Sequence, residues 1–218
     1  MDEFSRLRAR MVERQIAGRG IRDRHVLDAM TSVPREAFVE AQLGQRAYDD
    51  TPLPIEAGQT ISQPYIVALM IEAAGIRPGD RALEIGAGSG YAAAVMAQIA
   101  EAVFAIERHE ELARIAAERM HRLGYHNVAI RLADGSRGWP EEAPFDAILV
   151  AASGPHVPDV LKHQLAIGGR LVMPVGEPHG VQSLMKVVRS DGDEFTRENL
   201  GAVRFVPLLG VHGWQERD

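Results

Sequence analysis

A chain of 218 residues, 46% hydrophobic and 25% charged, has the balance of a globular protein with room for one sizeable core. The absence of Cys excludes disulfides and thiolate metal sites, and a net charge of −6 without a long basic run argues against nucleic acid as a partner. The opening residues Met1-Asp2-Glu3-Phe4-Ser5-Arg6 lack the apolar core of a secretion signal, and no run reaches membrane-spanning length. The expectation is a cytoplasmic protein without membrane contact.

Phe4, Leu7, Met11, Val12 and Ile16 recur at helical spacing over residues 3–17. The arginines between them (Arg6, Arg8, Arg10, Arg14) read as a solvated face. Asp23 is placed to cap a second short helix holding Val26, Leu27 and Met30. Val33–Val39 reads as a turn or short helix, and Pro52 and Pro54 keep the next stretch extended. In Gly58-Gln59-Thr60-Ile61-Ser62-Gln63-Pro64, the proline suits the first turn of a helix running to about Ala74, with Ser62 or Gln63 at its cap. Capping alone would account for Ser62. Two glutamines and two hydroxyls nonetheless make a dense polar cluster just ahead of the next strand.

From Gly79 onward strands and helices alternate. Strands are predicted at 81–85, 102–106, 128–133, 145–150 and 170–175, with helices at about 91–100, 109–123 and 158–166 between them. Such alternation implies an α/β fold, a Rossmann-like doubly wound, mostly parallel sheet with its ligand at the carboxyl ends of the strands. Ser183–Val188 and Val203–Leu208, with no helix between them, are expected as an antiparallel pair closing the sheet. The chain reads as one domain: residues 1–75 form an N-terminal helical appendage and active-site segment, and 76–218 the core.

Leu83 and Ile85 lie in a buried strand that ends in Gly86, Gly88 and Gly90 before an Ala-rich helix. Glycines there let a ligand approach the backbone, and Glu107, at the tip of the second strand, stands where a ribose diol would be held. The dinucleotide fingerprint G-x-G-x-x-G would need glycine at Tyr91, which disfavours a nicotinamide dehydrogenase. A G-x-G-x-G turn headed by Glu84 instead resembles the first motif of S-adenosylmethionine-dependent methyltransferases. Asp134-Gly135, at another strand end, reads either as an ordinary turn or as an acceptor for an adenine amino group. His109, His121 and His126 lack metal-ligand spacing, so no metal is expected, and no G-x-S-x-G elbow surrounds Ser62, Ser89 or Ser153.

Over roughly residues 8–214 the chain resembles the protein-L-isoaspartate O-methyltransferases. The segments that carry the resemblance include Pro34-Arg35-Glu36-Ala37-Phe38-Val39, Leu53-Pro54-Ile55, Gly58–Pro64, Leu83–Tyr91, Leu123-Gly124-Tyr125-His126-Asn127-Val128, Asp134-Gly135 and Pro174-Val175-Gly176. The resemblance implies methyl transfer from S-adenosylmethionine, leaving S-adenosylhomocysteine, to the stray α-carboxylate of isoaspartyl residues in damaged proteins and peptides. The ester then collapses to a succinimide without the enzyme. It further implies a catalytic role for Ser62 and cofactor contacts at Thr60, Ile61, Ser62, Gly86, Gly88, Ser89, Gly90, Glu107, Asp134, Gly135 and Gln182. Substrate contacts are implied at Ile55, Gln59, Val172, Pro174 and Val175, the strand from Val172 holding the peptide in extended form, and a monomeric enzyme is expected.

Three places depart from the family's pattern. Glu56-Ala57 replace a glycine and a bulkier residue, Ala151–Pro155 replace a Thr and Ala run, and Gly176–Gln182 align loosely. A carboxylate at Glu56 would repel an acidic substrate if it pointed inward. Glu56 and the altered 151–155 loop keep in view a carboxyl methyltransferase for a specific peptide, and reuse of the same fold keeps a non-catalytic S-adenosylmethionine-binding module.

Overall fold

The computed structural model describes residues 2–215. A two-stranded antiparallel pair, β1 (Leu53–Pro54) and β2 (Thr60–Ile61), precedes the main sheet. The sheet strands are β3 (Arg81–Ile85), β4 (Ala102–Glu107), β5 (Val128–Leu132), β6 (Phe145–Val150), β7 (Leu165–Val175), β8 (Gln182–Asp191) and β9 (Glu194–Val203). Their order across the sheet is β5-β4-β3-β6-β7-β8-β9, with the first five parallel and the last two antiparallel. The chain winds outward from β3 to β5 and then returns to β6 on the other side of β3. The crevice above β3 and β6 is therefore the switch point at which this architecture binds ligands. β3 and β6 are almost entirely buried, as their mostly apolar sequences, broken only by Arg81, Glu84 and Asp146, suit strands covered on both faces.

Among the described residues the helices are α1 (Glu3–Arg10), α2 (Arg24–Ser32), α3 (Pro64–Ala74), α4 (Tyr91–Ala97), α5 (Glu110–Leu123) and α6 (Asp159–His163). α1 continues as a π-helical stretch over Met11–Ile16 that keeps Met11, Val12 and Ile16 buried. Asp23 caps α2 by accepting from the N–H groups of His25 and Val26. Pro64 opens α3, whose N-cap is Gln63, and Gly75 closes it at φ 60°. Met11, Met30, Phe38, Ile71, Tyr91 and Val95 belong to one continuous core, so the N-terminal helices pack directly onto the sheet's helical layer. Arg6, Arg10 and Arg14 are exposed as expected, but Arg8 donates to the Tyr48 hydroxyl. No helix among the described residues is long and apolar enough to cross a membrane.

Several boundaries differ from the sequence reading, two of them with a clear physical reason. The antiparallel partner of β8 is Glu194–Val203, not Val203–Leu208. β9 is an edge strand whose mostly exposed, polar side chains hide its period but protect its free edge. α6 ends at His163 because Leu165 already pairs with Phe145 at the start of β7.

Candidate active site

The glycine turn after β3 is built around the end of β4. Gly86 and Ala87 both donate to the Ile106 carbonyl, at 2.9 and 3.1 Å. Gly86, Gly88 and Gly90 have φ of 87°, 53° and 86°, a region that side chains disfavour. At Gly90 a Cβ would also meet the Met120 methyl at 2.9 Å, so this glycine serves the packing of α5 beneath the turn.

Glu107 is the turn's electrostatic partner. Its Oε2 accepts from Gly88 N at 2.9 Å, and its Oε1 accepts from the N–H groups of Arg108 at 2.7 Å and His109 at 2.9 Å. Three backbone donors fix the carboxylate at the cavity wall and leave lone pairs for a ligand's hydroxyls. Glu84 lies deeper. It is 2% exposed, its Oε2 has no hydrogen-bond partner, and it too lines the cavity. Burial first, and then the neighbouring Glu107 carboxylate, push its pKa well above the ordinary glutamate value.

The cavity holds about 370 Å³. Gly86, Gly88, Ser89, Glu107 and Gly135 form its floor and the segment Gln59–Ser62 covers it. A second space, a groove of about 670 Å³, runs alongside between Pro52, Gln63 and Ile66 on one bank and Val181, Ala202 and Arg204 on the other. Thr60, Ser62, Ala151, His179 and Phe205–Pro207 line both. Ser62 therefore stands at the seam. It precedes the N-cap of α3 and makes no capping bond, so its placement is not explained by helix initiation.

The remaining expected residues divide between the cavity and its surroundings. The Asp134 carboxylate accepts from Ser136 N and Oγ and from Val211 N, and it does not line the cavity; it fastens the C-terminal turn, while Gly135 faces the ligand space. A Cβ at Gly135 would lie 2.5 Å from Ile85 Cγ2, which leaves no room for a larger residue. Gln182 is 1% exposed, donates to the Glu177 carbonyl and accepts from Phe205 N, tying two loops together without itself lining the cavity. Ile55 is buried with its tip over Gly88, 3.6 Å from where a Cβ would stand.

Val172, Pro174 and Val175 are corrected as a peptide-binding strand edge. β7 is an interior strand: Val172 pairs with Leu149 on one side and Lys186 on the other, and Pro174 and Val175 pair with Leu184 and Ser183. The Pro174 carbonyl also accepts from Gly154 N. An incoming peptide finds no free backbone there.

Three features escaped the sequence. Arg35 is completely buried and donates to the carbonyls of Ala47, at 2.7 Å, and Ser62, at 2.8 Å. Glu56 turns away from the groove and pairs with Arg119 at 2.9 Å. Ser153, in the divergent Ala151–Pro155 stretch, pins the C-terminal segment through Val206, Leu208 and Trp214. Each contact joins residues far apart in the chain, so no local spacing signals it.

A sequence model described as protein-L-isoaspartate(D-aspartate) O-methyltransferase matches residues 6–213. A relative in Rhodopseudomonas palustris strain HaA2, named protein-L-isoaspartate O-methyltransferase 1, is 59% identical over 97% of this chain and 86% of its own length. One in Protochlamydia amoebophila, named protein-L-isoaspartate O-methyltransferase, is 54% identical over 94% of this chain and 98% of its own. Among solved structures, a protein-L-isoaspartate O-methyltransferase superposes with a TM-score of 0.86 at 30% identity, covering 94% of this chain and 67% of that one. A Plasmodium falciparum structure described as a putative member in complex with S-adenosyl-L-homocysteine gives 0.80 at 30% identity, covering 93% and 98%. With the nucleotide-type cavity and the adjoining groove, these likenesses place the chain in the protein-L-isoaspartate O-methyltransferase family.

Proposed function

We propose that this chain transfers a methyl group from S-adenosylmethionine to the free α-carboxylate of L-isoaspartyl residues in damaged proteins and peptides, with the cavity as cofactor site and the groove as peptide site. The observation that carries this assignment of the two spaces is the position of Ser62 on the seam between them. The residues present suit the cofactor. Glu84 offers an orphaned carboxylate oxygen to an ammonium group, Glu107 offers lone pairs to a vicinal diol, and glycines occupy the positions of closest approach.

When bound, S-adenosylmethionine supplies an electrophilic methyl on a sulfonium. The chain's own task is placement. A substrate carboxylate is already ionised at neutral pH, so no strong general base is required. The Ser62 hydroxyl would hold that carboxylate by a hydrogen bond, and the segment Gln59–Ser62 would cover the reacting groups and exclude water. The apolar walls contributed by Val181, Val206 and Pro207 suit the backbone and side chains flanking an isoaspartate. All these groups come from one chain, so the proposed chemistry needs no residue from a second copy.

Radiolabelled methyl transfer to a short isoaspartyl peptide, with its aspartyl counterpart as control, tests the reading. Base-labile label on the isoaspartyl peptide alone is the expected result. Label on neither, despite cofactor binding, would overturn it. The specialised-peptide alternative loses one of its two supports, because Glu56 pairs with Arg119 and does not line the groove, and keeps only the divergent Ala151–Pro155 stretch.

A further inference from the structure

We propose that Glu56 and Arg119 form a clasp that holds the covering segment Ile55–Ser62 over the cofactor cavity, so that cofactor exchange requires this ion pair to part. The inference rests on the reading of the cavity as the cofactor site and adds to it a pair of positioning residues.

The covering segment has few fastenings of its own. β1 and β2 pair over only two residues each, and the turn between them is awkward: Ala57 and Gly58 adopt φ of 53° and 66°. Ala57 is thus a non-glycine residue in the left-handed region, a conformation that needs support from outside the turn. Arg119 supplies it from α5. One guanidinium nitrogen meets Glu56 Oε1 at 2.9 Å and another reaches the Ser89 carbonyl at 3.4 Å. One side chain therefore links the cover, the glycine turn and the helix beneath both. The pair is largely shielded, with side chains 9% and 21% exposed, so solvent screens it less than an ordinary surface bridge. Neither residue lines the cavity, whereas Gln59 to Ser62, immediately beyond the turn, do. Ile55, on the turn's other side, rests over Gly88. Releasing Glu56 would loosen the turn between these two anchors, while Arg35 still holds the Ser62 carbonyl.

The test is the rate at which bound radiolabelled S-adenosylhomocysteine leaves into excess unlabelled ligand. Glu56→Ala and Arg119→Met should each speed release about tenfold, as expected for a shielded, coupled pair. The double variant should be no faster than either single one. The exchanged pair Glu56→Arg/Arg119→Glu should recover most of the wild-type rate. Wild-type release from both single variants, or effects that simply multiply in the double variant, would overturn the clasp, even if thermal stability fell. Glu107→Ala separates this failure from that of the underlying reading: if it bound S-adenosylhomocysteine as tightly as the wild type, the cavity itself would be misassigned.

Discussion

The Arg35 guanidinium donates through Nη2 to the backbone carbonyl of Ser62 at 2.8 Å. Its Nε donates to Ala47 O at 2.7 Å, and its Cζ lies 4.7 Å from the centre of the Tyr91 ring. Tyr91 opens α4 directly after the glycine turn and packs edge-on against Phe38. One buried cation thus registers the serine at the seam against the helix that follows the cofactor turn. The covering segment is oriented from beneath by Arg35 and from its flank by Arg119.

Replacing Arg35 with Met should therefore damage both stability and turnover. It strands one buried and one partly buried carbonyl and removes the cation from the Tyr91 face, a loss of about 2–4 kcal/mol by the usual cost of unpaired acceptors. Urea unfolding measures the first effect. Steady-state kinetics on the folded fraction measures the second, with a fall in kcat expected beyond any loss of folded protein. Unchanged kcat per folded molecule would reduce Arg35 to a packing residue.

Ser62→Ala probes the seam directly. The hydroxyl makes no capping bond in α3, so its removal should leave stability nearly unchanged. Turnover should fall by about 10- to 100-fold if a hydrogen bond to the ionised carboxylate is lost, while S-adenosylhomocysteine affinity changes little. Isothermal titration and initial rates on an isoaspartyl peptide separate the two quantities. A proportional loss of cofactor affinity would move Ser62 from substrate to cofactor binding.

The parts of this site that were legible in the sequence are those with a local signature. Leu83–Glu107 carries its strand, glycine turn and acidic tip within one βαβ unit, and the structure closes it through Glu107 and Gly88. Pro64 marked the start of α3, and Asp23 the start of α2. What escaped was set by contacts without a spacing rule. The Arg35–Ser62 bond spans 27 residues, Glu56–Arg119 63, and Asp134–Val211 77. β9 was missed because an exposed edge strand need not alternate. The strand Val172–Val175 was assigned to substrate because a sequence shows that a strand exists but not that both its edges are taken.

Glu107→Ala should weaken cofactor binding by about 1.5–3 kcal/mol, the range for a charged hydrogen bond to a hydroxyl pair. Part of that loss would come through the turn, since the same carboxylate receives the N–H of Gly88. Glu107→Gln distinguishes the contributions: one amide oxygen can still accept from a backbone donor, while the charge is lost. An affinity for Gln between those of Ala and wild type, measured by calorimetry, is the expected order. Equal affinity in all three would exclude Glu107 from the site.

The last prediction concerns pH. An unfolded glutamate loses its proton near the ordinary value of 4.5, whereas Glu84 in the fold keeps its proton to a well higher pH, because of burial and then the Glu107 charge. Between those limits the folded state binds more protons than the unfolded one, so this residue makes stability fall as pH rises. Glu84→Gln preserves the shape and removes the titration. Ligand-free wild type and variant should run parallel below pH 4.5, and the variant should become progressively the more stable of the two above it. Bound S-adenosylhomocysteine should reverse the order, because its ammonium group favours an ionised Glu84 and a glutamine cannot supply that charge. Urea titrations across pH, with and without S-adenosylhomocysteine, read both effects. Parallel curves throughout would mean that Glu84 titrates alike in the folded and unfolded chains. A ligand-free difference without the reversal would keep the buried acid but place the ammonium elsewhere in the cavity.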